Sequence, residues 1–147
     1  MITVIGLGVE KGDLTRKGEA LILEAAKKGR PILVRTAKTE SYQSVQELNV
    51  PHECLDYVYE RSRNFATLSK NLAKAVMERG EDAVYLVDGS ASEDNSVKAL
   101  VKSKRGKITI VDGVSRTTAL VRMAGFAGCS YTAVSAYELA EKSVWSV

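Results

Sequence analysis

Short apolar runs alternate along this chain with longer segments whose apolar residues return every three or four positions. Ile2, Val4 and Ile5 form a β-branched run that breaks into Gly6-Leu7-Gly8, which predicts a strand followed by a glycine turn. A helix start follows near Asp13 to Thr15. From Lys17 to Lys28, residues Ala20, Leu21, Leu23, Ala25 and Ala26 supply the stripe of a helix lying on a sheet, with Gly29 as its stop. Arg30 to Val34 (RPILV) reads as a buried strand, Thr39 to Leu48 as a short helix and His52 to Leu55 as a short strand. Asn64 is placed to cap a helix from Phe65 to Arg79, whose Phe65, Leu68, Leu72, Ala75 and Val76 fall on one face, and Gly80 ends it. Asp82 to Val87 reads as a second buried strand, and Ser92 or Asp94 opens a helix through Lys102. Lys107 to Val111 is a strand closed by Asp112-Gly113. Ser115 starts a helix through Gly125. Tyr131 to Val134 and Ala136 to Lys142 are a last strand and a last helix.

Such alternation implies βαβ units, hence a mostly parallel sheet of about five strands with helices on both faces. At 147 residues the whole chain, 1–147, reads as one α/β domain, long enough to bury a sizeable core. An apolar fraction of 45% and a charged fraction of 27% are ordinary for a soluble globular protein. The net charge of +3 is too small to argue for a nucleic-acid partner, and the basic run Lys102 to Lys107 reads as a solvated turn. No apolar run is long enough for a membrane span, and Ile2 enters a strand with no basic leader before it. Cys54 and Cys129 lie far apart and form no C-x-x-C, which fits reduced thiols in a cytoplasmic protein. His52 and Cys54 can share one face of an extended segment, but two ligands do not make a metal site.

In parallel sheets ligands bind beyond the carboxyl ends of the strands. That edge is expected to carry Gly6-Leu7-Gly8, Arg35-Thr36, Asp88-Gly89-Ser90 and Asp112-Gly113-Val114-Ser115. Three of the four are glycine loops leading into a helix, where free N–H groups and close backbone approach favour a ligand. The dinucleotide fingerprint G-x-G-x-x-G is missed, because the glycines are Gly6, Gly8 and Gly12. Arg35-Thr36 stands where that fingerprint ends its second strand on an acidic residue, and no G-K-[ST] follows the first strand. Each loop can also be a plain connection between strand and helix, and Asp-Gly is ordinary turn chemistry.

In this order the loops resemble the tetrapyrrole methylase family, which includes precorrin methyltransferases and diphthine synthase. The family opens with a strand and G-x-G-P-G before a leucine–threonine helix start; here Gly6-Leu7-Gly8-Val9-Glu10 precedes Leu14-Thr15. Its second loop, G-D-P, corresponds to Gly89-Ser90-Ala91 after Tyr85-Leu86-Val87. Its third, P-G-V-S, corresponds to Asp112-Gly113-Val114-Ser115 before Thr117-Thr118-Ala119. Arg35-Thr36, Asp56-Tyr57-Val58-Tyr59-Glu60 and Phe65 look like the branch fused to a MazG-type nucleotide pyrophosphohydrolase. The resemblance implies the first of two α/β domains that enclose S-adenosylmethionine between them. It places Gly6, Leu7, Gly8, Asp88, Gly89, Ser90, Gly113, Val114 and Ser115 along the donor site. It also implies association with a second α/β domain, a MazG-type domain or another copy of the chain, and weak donor binding by one wall alone.

The family's loop prolines are missing: Val9-Glu10, Ser90-Ala91 and Asp112 replace them, and the two prolines, Pro31 and Pro51, lie elsewhere. Looser, less preorganised loops are expected in consequence. Asp13, Asp88 and Asp112 predict an acidic rim that repels a triphosphate and attracts a sulfonium or ammonium ion. No acid–base or nucleophilic constellation is visible, since His52 is the only histidine, although methyl transfer can proceed by proximity and orientation alone. Two functions follow: methyl-donor binding within a methyltransferase, or a non-catalytic module that senses a ligand or docks a partner such as a pyrophosphohydrolase.

Overall fold

A computed structural model describes residues 1–104 and 107–125. The chain divides into two compact units, Met1–Arg116 and Thr117–Val147, and the sheet belongs to the first. Five strands, β1 (Ile2–Gly6), β2 (Ile32–Val34), β3 (Glu53–Cys54), β4 (Val84–Val87) and β5 (Ile108–Val111), run in the order β3-β2-β4-β1-β5. Every strand pairing is parallel, so the expected α/β sheet is the one that forms.

Side chains alternate across the sheet and build two cores. Val84 and Leu86 join Ile5, Val34 and Val111 on one face, under Ile22 and Ala25 of α1 (Arg16–Lys27) and Val45 of α2 (Tyr42–Leu48). Tyr85 and Val87 join Ile2, Val4 and Leu33 on the other face. There they meet Val58 of α3 (Asp56–Arg61), Leu68, Leu72 and Val76 of α4 (Phe65–Glu78), and Val97 and Leu100 of α5 (Asn95–Lys104). On α1 the buried positions are Gly18, Ile22 and Ala25, while Ala20 and Leu23 of the expected stripe are exposed; on α4 Leu68, Leu72, Ala73 and Val76 are buried, while Phe65 of the expected stripe is exposed.

Local chemistry fixes the ends of the elements. The Thr15 hydroxyl accepts the Gly18 N–H at 3.0 Å, and the Asn64 side chain accepts the Thr67 N–H at 2.9 Å, as N-caps do. Gly29 and Gly80 follow α1 and α4 with φ of +69° and +122°, backbone that disfavours any other residue. Strands β2 and β4 begin at Ile32 and Val84, two residues later than the apolar runs suggested. α3 was not expected as a helix. The eight-residue α6 (Arg116–Met123) begins one residue after Ser115. The last strand and helix expected at 131–134 and 136–142, and Cys129, lie outside the described residues. Among the described residues, no helix is long and apolar enough to cross a membrane.

Topology sets a switch point between two neighbouring strands. Neighbours β1 and β4 send their chains to opposite faces: β1 into α1, β4 through a 3₁₀ turn (Ala91–Glu93) into α5. Such a switch point leaves a gap at the carboxyl ends of the two strands. The register pairs Gly6 with Val87 and Ile5 with Val111, so the loops after β1, β4 and β5 leave the sheet at one level.

Candidate functional site at the carboxyl edge of the sheet

The three glycine loops meet at this switch point, and they meet backbone to backbone. The Gly8 N–H donates to the Gly89 carbonyl at 3.2 Å and the Gly89 N–H returns a bond to the Gly8 carbonyl at 2.7 Å, an isolated antiparallel bridge above the parallel sheet. The third loop packs below: a Cβ on Gly113 falls 2.5 Å from the Gly6 carbonyl oxygen and 2.9 Å from the Gly8 nitrogen. A Cβ on Gly6 falls 2.7 Å from both the Gly113 nitrogen and the Gly89 oxygen. Gly6 and Gly113 are therefore required by loop-to-loop approach, while Gly8 and Gly89 also hold positive φ of +80° and +72°. Leu7 is buried in the core beneath its loop, Ser90 is buried, and Val114 and Ser115 are half-buried at the start of α6.

Carboxylates, rather than prolines, tie these loops to themselves and to one another. One Asp13 oxygen accepts the Val9 and Glu10 N–H groups at 3.0 and 2.9 Å, closing the first loop on itself. Asp112 accepts the Ser90 hydroxyl at 2.9 Å, the Ser92 N–H at 3.1 Å and the Ser92 hydroxyl at 2.8 Å, tying the third loop to the second. On the far side of β4, Asp56 accepts the Thr36 hydroxyl at 2.5 Å and the Ala37 N–H at 3.0 Å, pinning the loop after β2 to α3.

Nor is the rim an open acidic surface. The Arg35 guanidinium lies 3.5 Å from Asp88 and 3.2 Å from Asp94, and Arg116 pairs with the other Asp88 oxygen. Tyr59 of α3 lies beside Arg35, with the guanidinium carbon 5.7 Å from the ring centre. Burial alone would lower the Arg35 guanidinium, but Asp94, Tyr59, Tyr85 and Asp88 outweigh it and hold it above its ordinary value. The two carboxylates and two guanidinium groups balance. Asp94 also caps α5, accepting the Ser96 and Val97 N–H groups at 2.8 and 3.1 Å. Sequence reasoning identified that cap but missed the pairing of Arg35, Asp94 and Arg116, because no local pattern reports contacts between residues so far apart in the chain.

Asp112 gives a pH dependence. Partial burial pushes its carboxyl up, but the hydrogen bonds from Ser92 and Ser90 outweigh burial and hold it below its ordinary value. A carboxyl lowered by folding adds stability above its unfolded-state value, and that stability is lost as pH falls through the folded-state value. Urea melts followed by circular dichroism should therefore show Asp112→Asn less stable than the parent at neutral pH, with the two converging below about pH 4. A constant difference down to acid denaturation contradicts this role.

His52 belongs elsewhere. On the β3 side of the sheet its Nε2 lies 2.7 Å from the Tyr42 hydroxyl and its Nδ1 2.8 Å from the Val50 carbonyl oxygen. The Cys54 thiol donates to the same Tyr42 oxygen at 3.6 Å, and partial burial with that thiol pushes the Tyr42 hydroxyl up to about 12. Among the described residues, no group of three or more histidine, cysteine, aspartate or glutamate side chains is placed to hold a metal.

No protein-family model and no curated protein matches the chain by sequence. Solved structures match by fold. A protein described as related to cobalamin synthesis (CobF) from Corynebacterium diphtheriae aligns with a TM-score of 0.54 at 18% identity, over 91% of this chain and 60% of its own. Diphthine synthase aligns at 0.52 and 20% identity, over 84% of this chain and 48% of its own. The cobalamin biosynthesis precorrin-6Y methylase (CbiE) of Archaeoglobus fulgidus aligns at 0.54 and 17% identity, over 85% and 58%. The chain thus spans between 48% and 60% of the lengths of these structures, and what it shares with them is the five-stranded α/β fold.

Proposed function

We propose that this chain supplies the methyl-donor wall of a tetrapyrrole methylase-like methyltransferase, with S-adenosylmethionine as the donor. The observation that carries the reading is the meeting of three glycine loops, around Gly8, Gly89 and Gly113, at the one switch point of the sheet. The fold shared with a precorrin methylase and a diphthine synthase supports it. The chemistry of the edge fits the ligand in one respect: Asp88 keeps a buried oxygen without a hydrogen bond, which suits a cationic group. When bound, S-adenosylmethionine supplies an electrophilic methyl group. The residues here would hold and orient it, which suffices for transfer to an activated acceptor.

One observation favours a second reading, a non-catalytic sensing or docking module associated with a MazG-type nucleoside triphosphate pyrophosphohydrolase. The N–H groups of Gly8, Val9, Glu10 and Gly89 are already spent within the loops and offer no donors to a ligand. Calorimetric titration of S-adenosylmethionine or S-adenosylhomocysteine separates the two. Donor binding by one wall gives a saturable signal with a dissociation constant between about 0.1 and 1 mM. Silence at several millimolar ligand overturns the donor reading and leaves the docking module.

A further inference from the structure

A second cluster sits on the edge strand β3, with β2 between it and β4. His52 and Cys54 are two residues apart in extended chain, so their side chains fall on one side of it, and Tyr42, the first residue of α2, reaches both. One backbone group fixes the direction of the hydrogen bonds. The Val50 carbonyl can only accept, so the His52 Nδ1 that lies 2.8 Å from it carries the imidazole proton, and Nε2 keeps a lone pair. The Tyr42 hydroxyl, 2.7 Å from Nε2, therefore donates there, and its oxygen accepts from the Cys54 thiol at 3.6 Å. The three side chains form one directed chain from thiol to hydroxyl to imidazole. Burial and the thiol hold the Tyr42 hydroxyl up at about 12, so it stays protonated and can hand one proton on as it takes another.

We propose that Cys54 is a nucleophilic thiol served by this relay, and that small hydroperoxides oxidise it to the sulfenic acid. A nucleophile linked to a base that a third group orients is the arrangement that activates such side chains; here the base is His52 and the Val50 carbonyl orients it. As the sulfur attacks one peroxide oxygen, the thiol proton passes to the Tyr42 oxygen and the Tyr42 proton to His52 Nε2. The S–O bond forms and the O–O bond breaks. The departing hydroxide takes one proton back along the same path, so hydrogen peroxide gives sulfenic acid and water, with sulfur oxidised by two electrons and the peroxide reduced by two. The surroundings set the class of reagent. Cys54 is half-buried against the cluster that holds Val34, Val45 and Val50, which favours a small molecule. Asp56, the carboxylate that bears on Tyr42, is engaged by Thr36 and Ala37, and Glu53 pairs with Arg79, which favours a neutral one. This inference is independent of the donor reading above.

The test uses the full chain carrying Cys129→Ser, which leaves one of its two thiols. Hydrogen peroxide is the oxidant, with the sulfenic acid trapped by dimedone and followed by mass spectrometry. Iodoacetamide, a neutral alkylating agent, reads nucleophilicity separately. At neutral pH Cys54 is expected to react with both reagents roughly tenfold faster than glutathione, a gain open to a thiol that is otherwise only a few per cent ionised. Tyr42→Phe, which keeps the ring and breaks the relay, and His52→Gln should each lose most of that advantage. At about pH 10, where hydroxide removes the thiol proton directly, the three proteins should converge. A loss that persists there means that the substitutions change access alone, and it overturns the relay. A parent rate no faster than that of glutathione overturns the proposal without reference to either variant, so a variant that fails to fold does not shelter it. Fast alkylation with no trapped sulfenic acid overturns the hydroperoxide assignment.

Discussion

Replacing Gly113 by alanine is expected to cost about 3 kcal/mol of folding stability, at the upper end of what overpacking does. The new methyl lands 2.5 Å from the Gly6 carbonyl oxygen, 2.8 Å from its carbon and 2.9 Å from the Gly8 nitrogen. All three are backbone atoms, so no rotamer change relieves the clash. Gly6 and Gly8 are further held by β1 and by the bridge to Gly89, so relief means parting the first and third loops. Gly12→Ala serves as the control: its φ of +95° imposes strain of about 1 kcal/mol, but nothing stands within 4 Å of the added methyl. Urea unfolding of the two variants should separate them by about 2 kcal/mol. Equal small losses would mean that the loops are not packed as described.

A loss of similar size, about 3 to 4 kcal/mol, is expected for Arg35→Met at neutral pH. Its guanidinium, 21% exposed, stands between Asp88 and Asp94, whose side chains are 6% and 8% exposed. Among the described residues, Asp94 then has no ion pair and Asp88 keeps Arg116 alone. Two nearly buried carboxylates then lose the cation they share. Denaturant melts at neutral pH check it, with Arg35→Lys as the comparison: the lysine should recover part of the loss, and equal losses in the two variants would show that Arg35 contributes packing against Tyr59 rather than charge.

The same contacts explain how much was legible in the sequence. Strand and helix periodicity, the caps at Thr15 and Asn64 and the glycines ending α1 and α4 are local signals, and they placed the sheet and the main helices within a few residues. α3 escaped notice because six residues make less than two turns and only Val58 is buried, too short a span for a 3.6-residue period to register. Its purpose is tertiary: Asp56 holds Thr36 and Ala37, and Tyr59 lies beside Arg35. At the candidate site the glycines stood out, but their reason did not. A Gly-x-Gly after a strand reads as room for a ligand, whereas Gly6 and Gly113 make room for each other's backbone. Likewise Asp13, Asp88 and Asp112 carry formal charge in the sequence, while the fold gives each of them partners. Local pattern located the edge, and only the register of β1, β4 and β5 revealed that its loops close on one another.

The meeting point of these loops is where the ligand is expected to bind. Amide chemical shifts of the isotopically labelled chain, followed while S-adenosylhomocysteine is added, test it most directly. The expected result is a saturable set of shifts confined to residues 6–10, 35–37, 88–92 and 112–116, with no movement at Met1, Glu81 or Lys107, which line a 250 Å³ depression at the amino ends of the strands. Shifts centred on that depression, or none at all at millimolar ligand, would contradict the account.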